Sequence, residues 1–196
     1  MKHSRMAIFL IMIMSIDTLA DDLIWGNLRL GYQNHQSKEI IKDDLAIGFR
    51  LHAQTPSYNG FQIGGALFGS YGKSGDVGVG VPFFDENGDG YATLGEAYIK
   101  GTFNNNTIIL GRQSLDTPFA DRDDIGVIPN TFEALTLISK EIENTTIFIS
   151  HIQRWSGVDS PTPSGFSEVN GDKGVQIIGI SYSGIEDMSL DRKSVV

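Results

Sequence analysis

The sequence contains no cysteine, so no disulfide framework holds the fold. Positive charge is scarce, with 15 Lys and Arg against 24 Asp and Glu and a net charge of -9. This balance excludes the clustered basic footprint by which proteins bind nucleic-acid phosphates. Histidine is rare too, and neither His52 nor His151 lies in a nucleophile or metal motif. We therefore predict no enzymatic activity, no cofactor and no nucleic-acid partner.

Long apolar runs are almost absent, and the one that exists is Met6–Met14, which follows Lys2 and Arg5. It is shorter than the roughly 20 residues that a membrane-spanning helix needs. A basic start, an apolar stretch and small residues ending at Ala20 are typical of an export signal. We predict a signal peptide over residues 1–20. The rest of the chain is then either soluble outside the cytoplasm or a membrane β-barrel.

Glycine, in contrast, is abundant at 23 residues, and short alternating segments are separated by Gly, Asn, Asp and Pro. This pattern predicts strands and turns. Leu45–Gln54 is the clearest case, because apolar positions alternate with a second set that includes Arg50 and His52. About eight such segments are predicted. They lie near residues 25–33, 45–54, 61–71, 91–103, 107–113, 132–139, 145–155 and 175–182.

The lengths of the connections separate two all-β architectures that alternation alone leaves open, a soluble sandwich and a transmembrane barrel. Outer-membrane barrels have short turns at one end and long loops at the other. The predicted connections follow that rhythm. Long ones span about residues 34–44, 72–90, 114–130 and 156–174, and short ones span 55–60, 104–106 and 140–144. We predict an antiparallel transmembrane β-barrel.

Several basic residues are candidate pore-lining residues. Counting with period two places Arg29, Arg50 and Lys100 on the polar side of their strands, where they would form a cationic track in a barrel lumen. Arg112 and Arg154 are added to this set, although the sequence leaves the parity of their strands open. The alternative interpretation is that all five are ordinary solvated charges.

One segment has the spacing of a calcium-binding loop, with Asp85, Asn87, Asp89 and a closing Glu96. That motif requires a helix on each side, and neither flank has helical composition. We interpret the segment as an acidic turn that leads into a strand at Tyr91, and we predict no metal. A secreted calcium-binding β-domain remains an alternative function.

The most distinctive stretch runs from Gly111-Arg-Gln through an Asp-rich loop to Pro129-Asn-Thr-Phe-Glu. It resembles the OprD family of outer-membrane porins, especially those of campylobacter-type bacteria, and Gly95-Glu-Ala-Tyr98 and Trp155-Ser-Gly-Val-Asp159 are similar to that family too. One departure is Gly126, where the resemblance predicts Arg. The resemblance implies a passive channel for small polar or anionic solutes such as carboxylates, amino acids and peptides.

The resemblance also implies a trimeric or monomeric barrel in outer-membrane lipid, with its third long loop folded inward to narrow the pore. Four carboxylates would then lie at the constriction, opposite the basic wall. They are Asp116, Asp121, Asp123 and Asp124. The alternative role for these side chains is to cap backbone N–H groups within the loop.

Barrels of the OprD kind have about 16 to 18 strands, and the predicted strands supply about half of that number. We therefore predict that residues 21–190 are the N-terminal part of a porin and form an open, curved sheet. The strand near Trp25 should not pair with the strand near Val175. Residues 191–196 are interpreted as a non-native tail. The alternative is a small eight-stranded structural barrel of the OmpA kind.

Overall fold

The computed structural model describes residues 10–14, 23–36, 41–75, 82–185 and 188–195. Regular structure in these residues is a single antiparallel sheet of 11 strands. No helix within the described ranges has the length and apolarity needed to cross a membrane. The strands are β1 (Leu10–Met14), β2 (Ile24–Gln36), β3 (Ile41–Gln54), β4 (Phe61–Lys73), β5 (Tyr91–Phe103), β6 (Asn106–Gln113), β7 (Thr131–Ser139), β8 (Thr145–Ser156), β9 (Ser167–Glu168), β10 (Val175–Ile185) and β11 (Met188–Val195).

Each strand pairs with its neighbour in sequence, in the order β1 to β8, then β10 and β11, while the short β9 pairs with β8. The eight predicted segments correspond to β2–β8 and β10. This arrangement follows from the local signals, because alternating apolar residues joined by tight turns favour antiparallel neighbours. The predicted all-β antiparallel fold is confirmed.

The sheet is open. Within the described residues β2 pairs with β1 and β3, and β10 pairs with β8 and β11, so the strand of Trp25 does not pair with the strand of Val175. Among the strands that the structure describes, the two terminal ones, β1 and β11, have one partner each. The prediction of an open sheet is confirmed, and the closed eight-stranded alternative is contradicted.

The two outermost strands include residues that the sequence analysis excluded from the porin segment. β1 lies inside the predicted signal peptide and runs antiparallel to β2, with Leu10 opposite Tyr32. β11 includes residues 191–195 of the predicted non-native tail and pairs with β10. Strand pairing does not report whether a segment is cleaved or native, so both assignments stay predictions.

Connections at one end of the sheet are short, and three of them turn through residues in the left-handed region. These residues are Asn59 with Gly60, Asn104 and Asn144. Asn and Gly tolerate positive φ better than other residues, which explains why they stand at these tight turns. At the other end, long connections cover residues 74–90, 114–130 and 157–174, which we call the second, third and fourth loops, counting the connection between β2 and β3 as the first. The predicted long connection at residues 34–44 is wrong, because β2 and β3 extend to Gln36 and Ile41.

The two faces of the sheet differ in composition, and β3 shows the rule. Ile47, Phe49 and Leu51 are 54%, 40% and 47% exposed, whereas the alternate residues Ala46 and Arg50 are 0% and 6% exposed. We call the face of Ala46 and Arg50 the inner face and the opposite one the outer face. Exposed apolar residues continue across the outer face at Ile63, Leu67, Ile99, Leu110, Leu135 and Ile178. No second sheet covers them within the described part of the chain.

The core lies on the inner face, where loops pack against strands. In one cluster Phe83 and Phe84 of the second loop and Val127 and Ile128 of the third loop pack on β3 and β4. In the other, Leu115 and Ala120 of the third loop pack with residues of β7, β8 and β10. Burying these side chains stabilises the arrangement by about 1.5 to 3 kcal/mol for each large residue. The third loop, residues 114–130, is therefore folded over the inner face.

Candidate functional site

The third loop is fixed to β2 by one arginine. Arg29 of β2 donates through Nη2 to Asp124 Oδ2 over 2.7 Å, and its Nη1 lies 2.7 Å from Asp124 Oδ1. The same nitrogen donates to the Gly126 carbonyl over 3.0 Å. A guanidinium that binds both carboxylate oxygens fixes their orientation as well as their position. Arg29 thus holds the middle of the third loop against the wall.

A second arginine from the next strand contacts the same carboxylate. Arg50 Nη1 lies 2.6 Å from Asp124 Oδ1, and its Nε donates to the Val127 carbonyl over 3.2 Å. Burial opposes ionisation of Asp124, but hydrogen bonds and positive charge from Arg29 and Arg50 outweigh it and hold the pKa of that carboxyl below its ordinary value. Two buried guanidinium groups therefore share one ionised carboxylate.

Close packing reinforces these ion pairs. A Cβ placed on Gly48 of β3 would lie 2.6 Å from Val127 Cβ, closer than side chains approach one another. Only glycine at this position lets the loop backbone reach the strand. The resemblance predicted Arg at position 126, but the residue is glycine, and its carbonyl accepts hydrogen bonds from both Arg29 and Arg50.

Between the loop and the wall lies a polar cavity of about 300 Å³. Three guanidinium groups border it, from Arg29, Arg50 and Arg122, together with the carboxylates of Asp124 and Glu96. The remaining lining residues include Trp25, Asn27, His52, Phe68 and Ser114. Among the described residues, the buried Nε of Arg29 and Oδ1 of Asn27 make no hydrogen bond. Unsatisfied polar atoms beside a cavity favour water or a polar solute there.

Four residues at the edge of this cavity were not among the predicted pore-lining residues, namely Trp25, His52, Glu96 and Ser114. Glu96 accepts a hydrogen bond of 2.5 Å from the Ser114 hydroxyl, and its other oxygen lies 3.3 Å from His52 Nδ1. The His52 ring also stacks on Trp25, with ring centroids 5.0 Å apart. His52 and Glu96 lie on strand positions that alternation assigns to the inner face, and that parity was the signal available. The chain of contacts secures the first residue of the third loop to β3 and β5.

Lys100 lies on the same side of β5 as Glu96, opposite Gln62 of β4 and Ile109 of β6. Within the described residues it forms no ion pair. It therefore differs from Arg29 and Arg50, whose charges are partly compensated by the third loop.

Arg112 and Arg154 lie elsewhere, and the sequence prediction that joined them to the cationic track is corrected. Arg112 is on the face of Leu110, which is 58% exposed, and its register partner is Glu133. Glu133 accepts from Arg112 Nε over 2.9 Å and from Arg154 Nη1 over 3.5 Å. These residues form an ion-paired cluster on the outer face. Arg112 also lies 4.2 Å from the centre of the Phe166 ring.

The remaining carboxylates of the third loop lie away from the wall arginines. Asp121 accepts a hydrogen bond of 2.9 Å from the Asp123 N–H, which fits the predicted capping alternative for that residue. Asp159 of the fourth loop accepts from Asn130 Nδ2 over 2.7 Å. Burial, followed by the charge of Asp159 and a hydrogen bond with it, raises the pKa of Asp123 above its ordinary value. Asp116 is exposed near the start of the loop.

The segment with the spacing of a calcium-binding loop is held by hydrogen bonds between its own residues. Asp85 Oδ1 accepts hydrogen bonds from the N–H groups of Asn87 and Asp89 over 2.9 and 2.8 Å. Glu96, the residue that would complete the motif, is committed to His52 and Ser114. The described residues contain no group of three or more His, Asp or Glu side chains arranged to hold a metal ion. Asp85 orders an acidic turn before β5, which begins at Tyr91.

No family model matches the sequence, and no curated protein matches it. Solved structures do match the fold. Acinetobacter baumannii OccAB1 aligns with a TM-score of 0.69 at 20% identity over 90% of this chain and 45% of its own. Pseudomonas aeruginosa OccK8 (OprE) aligns at 0.70 and 19% identity over 89% and 46% of the two chains.

Pseudomonas aeruginosa OpdK, solved with vanillate, gives a TM-score of 0.68 at 15% identity over 89% of this chain and 48% of its own. The chain therefore spans somewhat less than half the length of these three structures. At such identities the likeness concerns the fold. The described residues form an open antiparallel sheet that matches part of the barrel found in OprD-type outer-membrane porins.

Proposed function

We propose that this chain is part of an outer-membrane porin, a passive channel for small polar or anionic solutes, and that it has no catalytic role. The observation that carries the proposal is the third loop held over the inner face by Asp124 between Arg29 and Arg50. A loop fixed inside a barrel narrows the lumen and decides which solutes pass. The outer face supports the same proposal, because its rows of exposed Ile and Leu suit contact with lipid.

The preference for anions rests on the charges around the polar cavity. Three guanidinium groups border it against two carboxylates, and Lys100, which forms no ion pair with the described residues, adds a positive charge to the same inner face. Basic side chains that face a confined passage lower the energy of a passing anion. OpdK was solved with vanillate, an aromatic carboxylate, so vanillate is a suitable first test solute for this chain.

The test is ion selectivity in planar lipid bilayers. Lys100→Glu reverses a positive charge on the inner face, and we expect the reversal potential in a KCl gradient to shift toward cation preference. Lys140→Glu is the matched control, since it makes the same change in net charge at an exposed residue in the short turn after β7. Equal reversal potentials for wild type and Lys100→Glu, or equal shifts for both variants, would contradict the proposal. Absence of stepwise currents from folded protein would contradict it as well.

A further inference from the structure

Another cavity, of about 570 Å³, lies between the third loop and β7, β8 and β10, whereas the polar cavity lies against β2–β5. Its walls come from the third loop, from the inner faces of β7, β8 and β10, and from the fourth loop, residues 157–174. Three aromatic side chains and two carboxylates line it, namely Phe119, Phe132, Trp155, Asp121 and Asp159. Lys and Arg are absent from the described lining residues. The third loop thus borders both an arginine-lined space and an aromatic and acidic one.

The aromatic residues form an ordered wall. Phe132 and Trp155 occupy paired positions on β7 and β8, and their rings stack at 13° with centroids 6.4 Å apart. Phe132 is buried at 4% exposure, whereas Phe119 on the loop is 53% exposed. The face of an aromatic ring attracts a cation, and Trp does so most strongly. The stack supplies a rigid surface, and Phe119 supplies an accessible one.

The carboxylates beside this wall lack basic partners. Asp159 is held by Asn130, and Asp121 by the Asp123 N–H, so each accepts a hydrogen bond from a neutral donor. Neither forms an ion pair within the described residues. The raised pKa of Asp123, caused by burial and then by Asp159, fits the crowding of negative charge in this region. Carboxylates beside aromatic faces suit a positively charged ligand that is partly apolar.

We propose that this cavity binds a small organic cation, with its ammonium group near Asp121 and Asp159 and its apolar part against Trp155 and Phe132. The site goes beyond the proposed passage of anions, and binding at it requires no conduction. Charge and apolar contact are both needed, which distinguishes it from a site for inorganic cations.

The experiment measures binding of choline to the folded protein in detergent by isothermal titration calorimetry. Its neutral isostere, 3,3-dimethyl-1-butanol, has the same shape without the charge. We expect choline to bind saturably and the isostere about tenfold more weakly, because a desolvated cation–π contact contributes about a factor of ten. Potassium at the same concentration should not displace choline. Failure of conduction in bilayers would leave this measurement unaffected.

Two pairs of variants localise the site. Asp121→Asn keeps the oxygen that accepts the Asp123 N–H and should weaken choline binding about tenfold, whereas Asp116→Asn makes the same charge change outside this cavity and should not. Trp155→Leu should weaken it similarly, whereas Trp25→Leu, at the polar cavity, should not. Circular dichroism confirms that each variant is folded. Equal affinity for choline and the isostere, equal effects within either pair, or no binding would overturn the proposal.

Discussion

The guanidinium of Arg50 lies 2.6 Å from the carboxylate of Asp124. This contact ties the third loop to β3, which lies more than 70 residues earlier in the sequence. Arg50 is buried, while the Asp124 side chain is 37% exposed. The arginine depends on this contact for charge compensation more than the aspartate does. Changes at position 124 therefore affect the wall as well as the loop.

Asp124→Asn should destabilise the folded protein by about 2 kcal/mol, because it leaves Arg29 and Arg50 buried without an opposing charge. This loss is smaller than the roughly 3 to 5 kcal/mol that removing one partner of a fully buried ion pair costs, because the Asp124 carboxylate is partly exposed. Urea unfolding in detergent measures it. Asp116→Asn is the control, because Asp116 contacts neither arginine, and an equal loss in both variants would contradict this role for Asp124.

Acid should release the third loop. The pKa of Asp124 is lowered in the folded protein, so the stability from its ion pairs is fully present above its unfolded value of about 4 and is lost as pH falls through the folded value. The raised pKa of Asp123 acts in the opposite sense, favouring the folded state as that group protonates.

The measurement uses a nitroxide on Ile125→Cys, which introduces the single cysteine of the chain at a position 51% exposed. We expect label mobility to rise as pH falls below about 4. In the Asp124→Asn background mobility should already be high at pH 7 and should change little. Mobility that is independent of pH in the otherwise wild-type protein would disprove the acid release.

Gly48→Ala should displace the third loop, because the added Cβ would lie 2.6 Å from Val127 Cβ. Overpacking of this kind costs about 1 to 3 kcal/mol. Gly165→Ala is the matched control, since the nearest atom to its added Cβ is Thr162 Oγ1 at 3.9 Å. For both variants, the mobility of the nitroxide at position 125 measures displacement of the loop, and urea unfolding measures the loss of stability. An unchanged midpoint for Gly48→Ala would show that the loop accommodates the methyl group.

Chelation of calcium should leave thermal stability unchanged, because Glu96, which would close the calcium-binding motif, is already bound to His52 and Ser114. Melting followed by circular dichroism, with and without EDTA, tests this. A lower melting temperature with EDTA that disappears in Asp85→Ala would show that the acidic turn is a metal site.

The strands were predictable from sequence because each is specified locally. Alternation and turn residues placed β5 at the observed residues 91–103 and put Arg50 on the inner face. Arg112 was misplaced because Ile108 and Ile109 are both apolar, so parity could not be read within β6. Cross-strand pairing resolves it, since Arg112 lies opposite Ala97 and Glu133 on the outer face.

The path of the third loop was not predictable from local signals. The resemblance implied an inward fold, but nothing near Asp124 in the sequence indicates that it contacts β2 and β3. The second cavity was missed for the same reason. Its aromatic wall joins Phe132 to Trp155 through sheet register, and its acidic edge joins Asp121 to Asp159 through the packing of two loops.

The hydrogen bond from Arg29 to the Asp124 carbonyl joins residues 95 positions apart, and this separation has a consequence for folding. The residues that pair within the β2–β3 hairpin are close in sequence, so this hairpin can form early, but Arg29 and Arg50 gain their counter-charge only when the distant Asp124 reaches them. Contacts between distant residues form slowly, because a long stretch of chain must be ordered first. Until the third loop is in place, the hairpin carries two positive charges on its inner face without a counter-charge.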